Sequence, residues 1–362
     1  MADPAPPTDW LAAIRAGGAA LDRGLRGPAQ ELAILRRAGW LEIDAVPEPG
    51  EECERLMALA SASLPLARLY EGHCNALHLM AAHATPGQRA RVAEALAGGG
   101  LAGVWGADGP HPVTLADGPD PVLCGTKAYA SGLGEVRVAV VTAATPAGLQ
   151  MVLVEPSDPD RADHGAWDVD GMVGSQSGRF VCDGLPAGPA QRLGPPGALF
   201  AEPSFHGGVW RLAACYAGGM ARIATLCAEQ VRNLPTDNAL AIARLGGIAI
   251  EAQTAALWAR HAARMFADVA SAPDQVIAAA LFAREATEAA AIRLLAAAER
   301  LLGARMHARG HEAGRIARDL RLFLRQADCD GKLALATGCW LQAPERPQLA
   351  PGMRAAVEHS RW

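Results

Sequence analysis

The stretch from Leu101 to Gly194 constrains this chain most. It is rich in β-branched residues, glycine and proline, and long windows of helical character flank it on both sides. Val138, Val140 and Val141 mark one short apolar run and Met151 to Val154 another, with Gly, Pro and Asp clusters between them. That pattern predicts several short strands of a sandwich or barrel. Outside it, Ala, Leu, Arg and Glu dominate, as helices favour, and apolar residues recur at three- and four-residue spacing. The expected class is therefore α+β in several domains. An all-α N-terminal domain covers 1–100, a central β domain 101–205, a helical bundle 206–341, and an extended, Pro-rich tail 342–362.

Helix signals refine this. A first helix starts near Thr8 or Asp9, and a second runs from Pro28 to Gly39, with proline in its first turn and glycine at its end. Glu51 to Leu64, Leu66 to Ala84 and Gln88 to Leu96 follow. Beyond Gly194-Pro195-Pro196-Gly197 the strand signals stop. Gly208 to Arg232 is helical, with small residues at Ala213, Ala214, Ala217, Gly218 and Gly219 that permit close packing. Leu234 to Asp237 is a break with a capping residue. Ala239 to Phe266, Pro273 to about Gly303, and a last helix from Gly314 to about Leu324 complete an up-and-down four-helix bundle.

Composition excludes some functions. A formal net charge of −5 offers no electrostatic footprint for nucleic acid. The eight cysteines lie far apart without a C-x-x-C, as expected of small buried hydrophobes in a reducing compartment. The first residues show no signal-peptide pattern, and no stretch reaches the roughly 20 uncharged apolar residues of a membrane span. Even Ala239 to Ala259 is interrupted by Arg244 and Glu251. A soluble, cytoplasmic protein without membrane or nucleic-acid partners is expected.

Several patterns carry no chemistry. Gly98 to Gly103 fits G-x-G-x-x-G by letter, but it follows a helix and precedes a strand, the reverse of a dinucleotide fold, and reads as a flexible junction. His73, His78 and His83 walk around a helix, and Gly310 separates His307 from His311, so no metal is expected. Ser175 and Ser177 do not fit G-x-S-x-G.

Three segments recur in a recognisable order. They are Gly103-Val104-Trp105-Gly106, then Gly125-Thr126-Lys127-Ala128-Tyr129-Ala130-Ser131, then Gly171-Met172-Val173-Gly174-Ser175. With Arg318-Asp319 near the end, the chain from about Ala29 to Gly338 resembles the acyl-CoA dehydrogenase superfamily. The resemblance implies FAD between the β domain and the bundle. Trp105 and Gly106 take the strand whose backbone meets the flavin. Tyr129 takes the aromatic position beside the ring, and Ser131 the hydroxyl near its N5 edge. It also implies a homodimer or homotetramer packed through the bundle, and a small acyl substrate carried on CoA or a carrier protein.

The chain departs from the family where chemistry is concerned. A carboxylate base is kept in one of two places, held here by Ala327 and by Trp210 before Arg211. Neither is acidic; Asp328 is one residue off and Glu202 lies in a loop, so no catalytic residue is assigned. The glycine-rich pyrophosphate turn is replaced by Leu302-Gly303-Ala304-Arg305, and the Arg-x-x-Phe-Gly stretch by Arg232-Asn233-Leu234-Pro235-Thr236. Gly303 keeps the turn's position, and Arg305, Arg232 or Arg325 remain to meet phosphate. The leading expectation is a divergent FAD oxidoreductase acting on a thioester or related substrate. The alternatives are a flavin monooxygenase on the same scaffold, which needs no α-proton base, and a catalytically silent acyl- or partner-binding homologue. In the monooxygenases a His facing the flavin follows the Arg-Asp pair; Arg325-Gln326 stands there instead.

Overall fold

The computed structural model of the chain describes residues 8–342 apart from 44–45, 117, 236–237 and 326–327. Ala327 and the tail from 343 therefore lie outside the described residues.

Five helices come first: α1 (Thr8–Asp22), α2 (Ala29–Arg37), α3 (Pro49–Ala62), α4 (Leu64–His83) and α5 (Pro86–Ala95). Proline opens α3, α4 and α5, where its missing N–H costs nothing. Ser63 separates α3 from α4, its Oγ accepting the Leu66 N–H at 3.3 Å. Thr85 and Gln88 form a reciprocal capping box on α5. The glycine run follows. Gly98 and Gly99 take positive φ, and the Arg36 Nε donates to the Gly99 carbonyl at 2.7 Å.

Among the described residues nine strands follow: β1 (Leu101–Trp105), β2 (Thr114–Ala116), β3 (Val122–Cys124), β4 (Thr126–Lys127), β5 (Val136–Thr145), β6 (Gly148–Val154), β7 (Ala162–Asp163), β8 (Arg179–Val181) and β9 (Arg192–Leu193). One sheet runs β3-β2-β5-β6-β9 with β1 paired parallel to β5; the other runs β4-β8-β7. The near-continuous apolar run of β5 has a reason. Ala139, Val141 and Ala143 enter the main core with Trp105 and Phe180, while Val138 and Val140 pack with Met80 of α4 and Val92 of α5. A strand buried on both faces shows no polar alternation.

The last region holds α6 (Ser204–Gly207), α7 (Trp210–Arg232), α8 (Ala239–Ala267), α9 (Pro273–Leu302), α10 (Glu312–Phe323) and α11 (Cys329–Gln342). A Cβ on Gly218 would lie 2.2 Å from the Met57 carbonyl oxygen, so α7 approaches α3 at backbone distance. The capping residue of α8 is Asn238, whose Oδ1 accepts the Ala241 N–H at 3.0 Å; Asp237 lies outside the described residues. The expected last helix is followed by another. α11 carries Gly331 and Gly338, and of its side chains only Ala336 and Cys339 are buried, so its periodic signal is weak. Its α9 partners are Ile277, Ala278 and Leu281.

Against expectation, α8 is long and apolar enough to cross a membrane by length and composition. Two of its four charged residues pair with neighbouring helices: Glu251 with Arg293 of α9 at 2.7 Å, and Arg260 with Glu54 of α3 at 2.6 Å. Among the described residues no cluster of three or more metal-ligating side chains occurs.

Candidate functional site

β1 ends at Trp105 and the chain turns through Gly106 to Asp108 over a buried lysine. The Lys127 Nζ donates to the Gly106 carbonyl at 3.2 Å, to Asp108 Oδ1 at 2.5 Å and to Thr142 Oγ1 at 2.8 Å. Burial lowers the pKa of this ammonium, and Asp108 opposes the shift. The lysine of the G-x-K pattern is thus an internal strut that fixes the turn. Trp105 is only 2% exposed, and its indole N–H donates to the Ser131 carbonyl at 3.0 Å. It ties β1 to the loop carrying Ser131. Gly106 is exposed, with open space where a Cβ would stand.

Tyr129 lies two residues past Lys127, on left-handed backbone (φ 53°) that costs a non-glycine residue about 1–2 kcal/mol. Its side chain is 65% exposed and meets Trp167 edge-on, with centroids 5.9 Å apart. Beside it opens a cleft of about 290 Å³, bounded by Asp108, Gly109, Gly178 and Arg179.

Ser131 heads a chain of hydroxyls. Its Oγ is 3.1 Å from Ser177 Oγ, which is 2.8 Å from Ser175 Oγ, which donates to the Met172 carbonyl at 2.7 Å. The same carbonyl accepts the Trp167 indole N–H at 3.2 Å. The Met172 N–H donates to Asp319 Oδ1 of α10 at 2.5 Å. This approach requires glycine at 171, where a Cβ would lie 2.4 Å from the Arg318 carbonyl oxygen.

Trp105, Gly106, Tyr129 and Ser131 are therefore brought together. Gly303 and Arg325 do not join each other. Arg325 pairs with Glu288 in mid-α9, while Gly303 caps the end of that helix, fifteen residues on and about 22 Å away at 1.5 Å per residue.

The acid–base positions are plain as well. Trp210 is fully buried, and the Arg211 guanidinium lies 4.8 Å from its ring centroid. Arg211 clamps the buried Glu52 of α3 at 2.7 and 3.3 Å, and His78 Nε2 lies 3.3 Å from the same carboxylate. Burial pushes the Glu52 carboxyl up, but Arg211 and His78 pull it further down, so it stays below the ordinary range. Asp328 caps α11, accepting the Gly331 N–H at 3.2 Å, and Glu202 pairs with His206.

Sequence reasoning missed Trp167 and the use of Ser175 and Ser177. The serines had a signal in the Ser-x-Ser spacing that closes the Gly171–Ser175 motif; Trp167 had none. Glu52 carried no signal, because its partner lies 159 residues away.

No family model and no curated protein sequence matches the chain. Solved structures do. FMN-bound TdsC from Paenibacillus sp. A11-2, described elsewhere as a dibenzothiophene monooxygenase, superposes with TM-score 0.82 at 21% identity, covering 95% of this chain and 98% of that one. The methanesulfinate monooxygenase MsuC from Pseudomonas fluorescens gives 0.77 at 17% identity over 95% and 99%. KijD3, in complex with FMN and a dTDP-linked keto sugar, gives 0.79 at 19% over 94% and 93%. The chain has the acyl-CoA dehydrogenase fold. In that fold the three motifs from Gly103, Gly125 and Gly171 and the Arg318-Asp319 pair converge on the Tyr129 loop and its link to α10.

Proposed function

We propose that this protein is a flavin-dependent oxidoreductase of the oxygen-using kind, a flavin monooxygenase, with the flavin ring in the cleft beside Tyr129. The carrying observation is Tyr129 itself: an exposed aromatic ring, held on unfavourable backbone, facing open space. The residues present fit a planar ring. Tyr129 offers an aromatic face to the cleft with Trp167 edge-on against it, and Gly106 and Ser131 lie on the adjoining chain segments just outside its lining. Arg179 supplies the cation that a phosphate needs. Bound flavin would supply the redox chemistry; the chain would orient it and exclude water.

Thioester dehydrogenation, the leading expectation from sequence, is less well supported. It needs a positioned base. Trp210 is apolar and buried, Glu52 is locked by Arg211, and Asp328 and Glu202 are engaged elsewhere. The solved relatives described as monooxygenases agree with the oxygen-using reading. FAD was expected, but FMN suits the chain better. The glycine-rich pyrophosphate turn is missing, and two of the similar structures hold FMN. The test is visible spectroscopy: the protein should take up flavin, and a saturated acyl-CoA should not bleach it under nitrogen.

The surface also supports self-association. Leu240, Ile242, Ile250 and Leu257 stand exposed on α8, beside an open groove of about 650 Å³ lined by small residues such as Ala217 and Ala249. We expect light scattering to give a dimer or tetramer at micromolar concentration. Ile250→Glu, at a side chain 66% exposed, should shift the mass toward monomer without unfolding. A monomeric unaltered protein would contradict this.

A further inference from the structure

The backbone of Met172 is a hub. Its carbonyl receives the Trp167 indole and the Ser175 hydroxyl, and its N–H goes to Asp319. Trp167 contacts the ring of Tyr129, and Ser175 leads through Ser177 to Ser131. Trp167, packed against Tyr129, and Ser131, two residues past it, thus both hang from the backbone of one residue beside the cleft. Met172 sits at φ 56°, left-handed backbone that a methionine does not favour unaided. We propose that Asp319 is a positioning residue for the Tyr129 loop beside the flavin cleft, holding the Met172 backbone so that Trp167 and Ser131 keep their places. The proposal rests on the flavin reading above.

The surroundings of Asp319 make this hold sensitive to charge. α1 contributes Asp22, and α10 itself contributes Arg315 and Arg318. The start of α4 at Ser63–Pro65 and the turn at Gly174 contribute no charge, and Asp170 on the incoming segment is exposed. Arg318 is drawn away, to Asp22 at 2.6 Å and to the Asp170 carbonyl at 3.1 Å. Burial pushes the carboxyl up to about 7; the Met172 N–H and Arg315 oppose that, and Asp22 adds to it. The carboxylate is the stronger acceptor, so the hold tightens as pH rises through that value.

The test has a flavin-free arm. In ¹H–¹⁵N spectra of the flavin-free protein, the Trp167 indole signal, assigned with Trp167→Phe, should move between about pH 5.5 and 8.5 with a midpoint near that of Asp319. Asp319→Asn, which keeps an acceptor oxygen, should abolish the movement. In a flavin titration Asp319→Ala should bind about tenfold or more weakly, and Asp319→Asn should stay closer to the unaltered protein. An indole signal that stays still, or that titrates equally in Asp319→Asn, overturns the coupling. Equal flavin affinity in Asp319→Ala and the unaltered protein overturns the positioning role. If Asp319→Ala does not fold, the pH titration and Asp319→Asn decide. Unaltered protein that takes up no flavin overturns the flavin reading and the role toward flavin with it, while the indole titration still reports the Asp319–Met172 link separately.

Discussion

Replacing Glu52 by alanine is expected to destabilise the protein by about 3–5 kcal/mol, the cost of leaving a buried charge unpaired. Arg211 is the charge in question. It is buried at the first turn of α7, with Glu52 as its carboxylate partner and the rings of Trp210 and Phe266 beside it. Those rings attract a guanidinium but cannot replace an anion bonded at two points. The companion variant is the double change Glu52→Leu with Arg211→Met. It removes both charges and should recover most of the loss, because the desolvation cost of the pair disappears with the pair. Urea unfolding midpoints measure both. The pH dependence has a definite sign. The folded-state pKa of Glu52 is depressed, so its contribution is present above the unfolded value of about 4.3 and lost as pH falls through the lower folded value. The double variant should lose less stability than the unaltered protein over that acid range. A Glu52→Ala protein as stable as the original would show that Arg211 finds water or another partner.

The second large effect is expected at Tyr129. Tyr129→Ala should weaken flavin binding roughly 10- to 100-fold, since covering an aromatic face contributes about 1.5–3 kcal/mol. Stability should barely change, because the side chain is mostly exposed in the flavin-free protein. Tyr129→Phe keeps the ring and should bind nearly as the original does. Flavin affinity that is indifferent to Tyr129→Ala would move the flavin away from this cleft.

How much of this was legible in the sequence differs by element. The helical blocks and the central strands were, because α9 and β5 carry periods that burial enforces: α9 is apolar on its packed face and β5 apolar on both. α11 was not, because two glycines and a thinly buried face give it no period to read. The Tyr129 loop was legible only as part of a motif series. Its left-handed backbone follows from the loop's pairing with residues 175–178, which local sequence does not encode. Lys127 and Asp319 were visible as motif letters, but their roles as strut and clamp depend on partners at Thr142 and Met172. Ion pairs such as Glu52–Arg211 join distant helices and leave no local pattern. Gly303 was read from its motif position and Arg325 as a cation that could meet phosphate, and along α9 the two stand apart.

On the proposed reading, flavin sits beside Tyr129 with no base for thioester dehydrogenation. The most direct measurement loads the protein with FMN, and separately with FAD, and follows the visible absorbance while a saturated acyl-CoA is added under nitrogen. The account predicts a yellow protein, tighter with FMN, whose colour persists after acyl-CoA addition. A protein that stays colourless with both flavins, or one whose flavin is bleached by acyl-CoA, would contradict it.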